Sequence, residues 1–272
     1  GVEYVRGNSE TMTLRQHQQV HAPHVILATG GFASDRSPGS LLEQHRPELV
    51  HMPTTAGAFS TGDGISLAKS SFGAATIDMD QVQLHPTGWV DPADPDNPSK
   101  VLAAEVTRGA GGILLNDQGQ RFCNELGLRS YVTEQMLRHD PIYAATGKWS
   151  PEANLPSFVL VLSSLAAADC QKHVDLYTQK GLMRRLQGVD ALANWMNVPK
   201  SKIQAALTEY KNGASTGRDE FGKTTFRGVP AKDLDKEAFY AGKVTPVLHY
   251  CMGGLAIDSK GRVLDEKGEV IH

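Results

Sequence analysis

The 272-residue sequence lacks any long hydrophobic run. Its most apolar stretch, residues 158–168, is interrupted by Ser163 and Ser164 and is shorter than the roughly 20 apolar residues that cross a bilayer. We therefore expect no membrane-spanning helix in this segment.

Cysteine is scarce. Cys123, Cys170 and Cys251 are an odd number and form no Cys-X-X-Cys pair. This usage is typical neither of a disulfide framework nor of a zinc site, and we expect a reducing compartment and no bound metal.

The sequence also lacks a concentrated charge of either sign. Its formal net charge is -3, and the basic residues are scattered along the chain, so we expect no nucleic-acid partner. Aromatic residues make up only 7% of the chain, which disfavours an aromatic-lined cavity for a steroid. With 40% hydrophobic residues, the chain is typical of a globular protein with one or two cores.

Two further features are missing: a Gly-X-Gly-X-X-Gly motif and an initiator methionine. The sequence begins at Gly1 and ends at His272 within a strand-like run. We expect both ends to be internal to a longer protein, so that the chain is an internal fragment.

The segments that are present predict an α/β arrangement followed by a mixed domain. Residues 11–15 and 24–29 favour strands, the second ending at Gly30-Gly31, and a helix is predicted from Asp63. Later predictions are a strand at 75–84, a proline-rich loop at 91–98, a hairpin at 112–122, helices at 130–139, 165–177 and 200–212, and a strand at 157–162.

Two glycine-containing turns are candidate cofactor contacts. Ala28, Thr29, Gly30 and Gly31 follow a predicted strand, where glycine lets the backbone approach a flat or phosphorylated ligand. An ordinary turn explains this pattern equally well. Asp63 has two comparable interpretations, a helix cap or a contact to a ribitol group.

Another set of residues has the chemistry needed to bind and reduce a dicarboxylate. Arginine presents a planar fork of donors to a carboxylate, and histidine donates a hydrogen bond without full charge. Taken singly, a buried histidine or an i, i+3 Glu–Arg pair is usually structural. The candidates are His85, Thr87, Glu105, Arg108, Arg129 and His249.

The sequence around these residues resembles that of the flavoprotein fumarate reductase and succinate dehydrogenase superfamily. The resemblance is strongest to the soluble single-chain fumarate reductases of yeast and trypanosomatid type. The matching segments, in family order and over nearly the whole chain, are residues 28–32, 61–64, 85–88 (His-Pro-Thr-Gly), 103–112 (Ala-Ala-Glu-Val-Thr-Arg-Gly-Ala-Gly-Gly), 116–122, 124–129 and 249–254.

This resemblance implies part of a Rossmann-like FAD-binding domain with an inserted α+β capping domain. The implied boundaries are 1–79 for the first part of the FAD-binding domain, 80–250 for the cap and 251–272 for the return. The cofactor would be non-covalent FAD, with NADH as one candidate electron donor, and the product of fumarate would be succinate.

The resemblance also implies roles for single residues. Arg129 would be the proton donor, and Glu105 and Arg108 would relay the proton from solvent. His85, Thr87, Glu105 and His249 would bind substrate, and Tyr250 would face the flavin. Some members carry threonine before the relay glutamate, where this chain has Ala104, so one hydroxyl contact is absent or replaced.

Other functions remain open at this stage. A succinate dehydrogenase, an aspartate oxidase, a ketosteroid dehydrogenase or a urocanate reductase would share the same flavin chemistry. A non-catalytic capping or interaction module would use the cationic cluster only to pair charges at a domain interface. The family's Gly-X-Gly-X-X-Gly segment and an arginine-containing glycine-rich segment lie outside this sequence, so the segment alone is expected to bind FAD weakly and to be inactive.

Overall fold

The computed structural model describes residues 2–6, 16–149 and 156–272. Its strands are β1 (Val2–Arg6), β2 (Gln16–Val20), β3 (Thr76–Ile77), β4 (Val82–Trp89), β5 (Ile113–Leu115), β6 (Phe158–Leu162), β7 (Arg184–Gln187), β8 (Ala238–Cys251) and β9 (Gly254–Leu255). Its helices are α1 (Leu41–His45), α2 (Asp63–Phe72), α3 (Glu105–Gly109), α4 (Arg129–Leu137), α5 (Pro141–Thr146), α6 (Ser164–Asp169), α7 (Gln171–Gln179), α8 (Gly188–Met196) and α9 (Lys200–Thr216), with a 3-10 turn at Pro47–Leu49.

An antiparallel five-stranded sheet organises most of the chain. Its strand order is β4-β8-β6-β5, and β7 also pairs with β8. The long strand β8 therefore holds together three strands from distant parts of the sequence. Two smaller antiparallel pairs, β1 with β2 and β3 with β9, complete the sheets.

Alternation along β6 explains why this sheet has a core on both faces. Phe158, Leu160 and Leu162 pack into one core, which also receives residues of α4, α6 and α7. Val159 and Val161 point to the opposite face, where α8 and α9 cover them. Each such buried aliphatic or aromatic side chain contributes about 1.5–3 kcal/mol.

A third core lies in the first part of the chain. Phe32, Leu42, Met52 and Ile65 form it together with Leu248 from β8. Because Leu248 belongs to the strand that organises the main sheet, β8 joins this core to the rest of the fold. The implied domain boundaries at residues 79–80 and 250–251 stay predictions.

Several predicted elements are confirmed. The helix predicted from Asp63 is α2, that predicted at 130–139 is α4, that at 200–212 lies within α9, and the strand at 157–162 is β6. The helix predicted at 165–177 is two helices, α6 and α7, which meet at Cys170. The predicted strand at 75–84 is divided into β3 and the start of β4, because Asp78 adopts a left-handed φ of 53° between them.

One predicted strand and one predicted hairpin are wrong, although the first strand of that hairpin is β5. Residues 24–29 form no strand because no described segment pairs with them, and Ile26 is 89% exposed. The predicted hairpin at 112–122 is incorrect because β5 pairs with the distant β6, while residues 116–120 form only a tight turn. The strand predicted at residues 11–15 lies outside the described residues.

None of the helices within residues 16–149 and 156–272 combines the length and the apolar character that a bilayer span requires.

Candidate active site

Two adjacent strands place the candidate histidines side by side. His85 lies in β4 and His249 in β8, and their rings have centroids 5.0 Å apart. The register of the two strands shifts around this point, first between Gln83 and Leu84 and again between His85 and Gly88. Pro86, which cannot donate to a strand ladder, occupies the second irregularity.

His85 is fully buried, and its environment defines its tautomer. The backbone N–H of Thr87 donates to Nδ1 at 3.2 Å, so the proton of a neutral ring resides on Nε2. Nε2 has no hydrogen-bond partner among the described residues. Burial, followed by the charges of Arg108, His249 and Arg129, lowers the pKa of His85 to about 3. His85 is therefore a neutral donor with an unused N–H.

His249 is held by the first part of the chain. Its Nδ1 lies 2.7 Å from Oγ1 of Thr55, and the backbone N–H of Thr55 donates to the carbonyl of Leu248 at 3.0 Å. Burial and the nearby charge of Arg129 lower the pKa of His249. The sequence analysis missed Thr55, because nothing in its local pattern separates it from other loop threonines.

Arg129, Glu105 and Arg108 form one continuous charged group. The guanidinium of Arg129 forms a bidentate ion pair with Glu105: Nε donates to Oε1 at 2.6 Å and Nη2 donates to Oε2 at 2.9 Å. Nη2 of Arg108 lies 3.7 Å from Oε1 of the same carboxylate. Glu105 thus lies between the two arginines. Two cations against one anion leave a net positive charge beside the histidines.

The electrostatics of this group follow from its contacts. The hydrogen bonds from Arg129 lower the pKa of Glu105 to about 2 against the opposing effect of burial, and the charges of Arg129 and Arg108 add to the shift. The same hydrogen bond raises the pKa of Arg129. Arg108 is 4% exposed, and its burial lowers its pKa. The carboxylate of Glu105 is 50% exposed, so it can exchange protons with solvent.

Gln83 is a second residue that the sequence analysis missed. Its Oε1 accepts a hydrogen bond of 2.6 Å from Nη1 of Arg129, and Cζ of Arg129 lies 5.4 Å from the ring centroid of Tyr250. Glu105, Gln83 and Tyr250 therefore contact this guanidinium on three sides. Gln83 lies near the end of the predicted strand at 75–84, and nothing in that local pattern marks it as a partner of Arg129.

Thr87 and Ala104 take structural contacts in this arrangement. Oγ1 of Thr87 donates to the carbonyl of Ala103 at 3.0 Å, and the backbone N–H of Ala104 donates to the hydroxyl of Tyr177 at 3.0 Å. The hydroxyl of Tyr177 therefore accepts from the backbone of the residue that precedes Glu105.

The candidate cofactor contacts meet at a second edge of the site. The N–H of Gly62 donates to the carbonyl of Gly31 at 3.0 Å, which joins the turn at 28–31 to the turn before α2. Asp63 is the first residue of α2, and Gly62 caps this helix without a side-chain hydrogen bond. The N–H of Phe32 donates to Sγ of Cys251 at 3.3 Å, so the end of β8 that bears Tyr250 adjoins the first turn.

This edge fits one wall of a flavin site. Ala28, Thr29 and Gly30 are exposed, and Gly30 has a φ of 79° that favours glycine. The side chain of Tyr250 is 48% exposed at the same edge. Bare backbone and an exposed aromatic side chain suit a flat ligand that covers them.

The chain is similar over most of its length to known proteins. The family model described as "FAD binding domain" matches residues 5–272. The chain is 41% identical over its full length to "Fumarate reductase" of Schizosaccharomyces pombe and covers 48% of that protein. It is 29% identical over 97% of its length to "NADH:fumarate oxidoreductase" of Klebsiella pneumoniae, of which it covers 25%.

A solved structure shows the same fold. The open conformation of a flavocytochrome c3 fumarate reductase superposes with a TM-score of 0.64 at 25% identity, covering 89% of this chain and 38% of the other. These matches confirm the predicted α/β fold class with its mixed α+β part and the predicted resemblance. The chain spans at most about half the length of the relatives named above.

Proposed function

Because the chain belongs to the FAD-binding domain family, we propose that it forms the substrate-reducing part of a flavin-dependent fumarate reductase. The observation that carries this proposal is the buried, unpartnered Nε2 of His85 beside the net positive group of Arg108, Glu105 and Arg129. A buried donor without a partner costs free energy, and a substrate carboxylate would satisfy it.

The two histidines would bind the substrate in this proposal. Neutral His85 donates from Nε2 to one carboxylate oxygen. The ring centroid of His249 lies 5.0 Å from that of His85, so His249 contacts the same region of the substrate. The net positive charge of the arginine group favours a ligand with two negative charges. Thr87 supports His85 through its backbone N–H.

Arg129 would deliver the proton. FAD, when bound, supplies the hydride to one alkene carbon of fumarate. The other carbon then gains carbanion character, which makes it basic enough to take a proton from a guanidinium whose ordinary pKa exceeds 12. Glu105, whose side chain is 50% exposed, takes a proton from solvent and returns it to Arg129, while the buried Arg108 completes the relay by holding the same carboxylate from the other side. One hydride and one proton convert fumarate to succinate.

The FAD contacts proposed are Ala28, Thr29, Gly30, Gly31, Asp63 and Tyr250, with the flavin bound non-covalently. The proposed domain organisation is a FAD-binding part at 1–79 and 251–272 and a capping domain at 80–250. Strand β8 crosses the boundary at 250–251, and β4 begins at Val82, just after the boundary at 79–80. These two strands, which carry the histidines, would act as the hinges. Closure of the cap would exclude water from the hydride path.

The test uses the protein expressed from the complete reading frame of its gene and loaded with FAD. Anaerobically reduced flavin is mixed with fumarate, and its absorbance and the succinate formed are followed. We expect rapid reoxidation and stoichiometric succinate. If urocanate or an aspartate-derived substrate reoxidises the flavin and fumarate does not, the protein has another flavoprotein activity. If none of these compounds reoxidises the flavin, the result would support a non-catalytic module.

We also propose NADH as the electron donor, supported by the name of the Klebsiella pneumoniae relative. Anaerobic bleaching of the flavin by NADH tests this. Bleaching by reduced FMN and not by NADH would contradict it and leave the fumarate step unaffected.

A further inference from the structure

A buried group of charges lies behind the candidate site and has no part in the proposed chemistry. Glu125 is 0% exposed, and its two oxygens accept hydrogen bonds from Nε of Arg121 at 2.8 Å, Nη2 of Arg121 at 3.0 Å and Nζ of Lys223 at 2.8 Å. Nη2 of Arg121 also donates to Asp219 at 2.8 Å. Two cations and two anions thus balance inside the protein.

Aromatic rings shield these charges from water. The guanidinium of Arg121 lies 5.1 Å from the ring centroids of both Tyr210 and Phe221, and Nζ of Lys223 lies 4.9 Å from that of Tyr210. Burial opposes ionisation of Glu125, but the hydrogen bonds of Arg121 and the charge of Lys223 outweigh it and lower its pKa. Apolar residues of similar volume usually stabilise a core as well as such a network does, so stability alone does not account for it.

Glu125 is connected directly to the relay. Its backbone carbonyl accepts a hydrogen bond of 2.6 Å from Nη1 of Arg108, the buried arginine beside Glu105. The chain from Glu125 then reaches α4, whose first residue is Arg129. No side chain caps this helix at Leu128. The start of α4 is therefore not fixed by a side-chain cap, and its position follows from the backbone that leads to it.

That segment is itself a tight turn. The N–H of Gly127 donates to the carbonyl of Asn124 at 2.9 Å, and the N–H of Leu126 donates to Oδ1 of Asn124 at 3.0 Å. A rigid turn with one buried anchor transmits the position of that anchor to both of its neighbours.

We infer that Glu125, clamped by Arg121 and Lys223, is a positioning residue that fixes Arg108 and Arg129 on either side of Glu105. This inference rests on the proposed function of that relay. Glu125 is fully buried, and its carboxylate is taken up by Arg121 and Lys223, so in this proposal it contacts neither substrate nor flavin. It acts through the backbone, by its carbonyl on Arg108 and by the turn on Arg129.

The expected effect of losing this anchor follows from geometry. A displacement of about 1 Å at reacting groups can slow a reaction by about 10²-fold. Proton delivery requires Arg129 to reach the substrate carbon while it holds Glu105, so this step is sensitive to such a displacement. Flavin reduction by the donor does not require the proton delivered to carbon and should be insensitive.

The experiment compares three variants of the FAD-loaded protein from the complete reading frame. Glu125→Gln keeps the shape but turns an amide donor toward the donors of Arg121 and Lys223. Lys223→Met keeps the stem of the side chain and removes one cation. Glu237→Gln is the matched control: Glu237 is 3% exposed and accepts from Ser164 and Ala231, away from the relay.

Stopped-flow measurements then separate the half-reactions, and thermal unfolding reports the fold. We expect Glu125→Gln to slow fumarate-driven reoxidation by about 10- to 10²-fold with little change in KM, and Lys223→Met to slow it less. Flavin reduction should stay within about twofold of wild type, as proximity effects on proton delivery do not enter it. Glu237→Gln should lower the unfolding temperature without slowing reoxidation.

The contradicting outcomes are distinct. Reoxidation at the wild-type rate in a folded Glu125→Gln protein would overturn the inference. If Glu125→Gln slows both half-reactions equally, and Glu237→Gln does the same when its unfolding temperature is equally lowered, Glu125 only stabilises the fold. If Glu125→Gln does not fold, a wild-type rate in folded Lys223→Met overturns it. If the proposed function is wrong, fumarate will not reoxidise the reduced flavin of the wild-type protein. The inference would then be wrong as well.

Discussion

At the scale of single residues, the site combines groups that the sequence named with groups that only the fold could reveal. His85, Glu105, Arg108, Arg129 and His249 were predicted from chemistry and from resemblance. Their partners Gln83, Thr55 and Glu125 were not, because a glutamine, a threonine and a buried glutamate acquire these contacts from strands and turns that are distant in sequence.

Arg129→Lys tests the proposed proton donor. A proton donor acts in the transition state, whereas a carboxylate ligand also acts in the ground state. Lysine keeps the charge but cannot hold both oxygens of Glu105 and reach Gln83 as the fork does. We expect kcat for fumarate reduction to fall by about 10²- to 10⁴-fold, in the range of lost general-acid catalysis.

Stopped-flow comparison of the half-reactions is the measurement. Flavin reduction should stay near normal in Arg129→Lys. An unchanged rate of fumarate reduction would remove Arg129 from the mechanism, whereas loss of both half-reactions would show that Arg129 supports flavin binding or the fold.

The buried, neutral His85 predicts a loss of stability in weak acid. Its pKa is lowered to about 3 by burial and by neighbouring cations, whereas in the unfolded chain it is about 6.5. Between these values the unfolded state binds more protons, so the free energy of unfolding decreases as pH falls, by up to about 1.4 kcal/mol per pH unit. Above pH about 6.5 this contribution is absent.

Chemical denaturation between pH about 7.5 and about 5 checks this, because most carboxylates are still ionised in that range. His85→Asn should flatten the dependence on pH. His21→Asn, at an exposed position, should reproduce the wild-type slope. Equal slopes in all three proteins would show that His85 becomes protonated without unfolding.

At the scale of elements, local patterns predicted what local sequence controls. Local sequence patterns were sufficient to predict α2, α4 and β6 as elements. The hairpin at 112–122 was predicted because Asn-Asp-Gln-Gly is a good turn sequence. The prediction is wrong because β5 pairs with β6, which lies well beyond that turn. Strand pairing is a non-local property, and the segment 24–29 failed for the same reason.

The helix α3 offers an element-scale test, because it ends in a glycine-rich segment with two different environments. Gly111 has a φ of 113°, and a Cβ there would collide with the backbone carbonyl of Arg227. Gly109, the last residue of α3, has open space around the position of a Cβ. Gly111→Ala should therefore destabilise the protein by roughly 1–3 kcal/mol, whereas Gly109→Ala should be neutral or stabilise it by up to about 1 kcal/mol.

Equilibrium unfolding in urea measures both variants. Similar stability of the two proteins would mean that the segment 227–228 yields to the added methyl group, and the close approach would then be no constraint on α3 or on the relay residues that it carries.

At the scale of the whole molecule, the proposed cap and FAD-binding parts are joined by the third core and by backbone hydrogen bonds. The N–H of Leu248 donates to the carbonyl of Pro53 at 2.8 Å, that of Thr55 to Leu248 at 3.0 Å, and that of Thr54 to Pro98 at 2.8 Å. The same residues hold His249 through Thr55. A substrate bound between these histidines and a flavin held by the FAD-binding part would therefore favour the state in which these bonds are formed.

Amide hydrogen exchange tests this coupling in the FAD-loaded protein. If the cap opens by breaking these bonds and succinate binds only the closed state, succinate at about a hundred times its Kd stabilises that state by about 2.7 kcal/mol. Exchange of the amides of Thr54, Thr55 and Leu248 should then slow by about 10²-fold, while amides in α9, on the far face of the sheet, should be unchanged. Calorimetry would establish that succinate binds. Binding without slower exchange at these three amides would contradict the closure, because the ligand would then have no differential affinity for the two states.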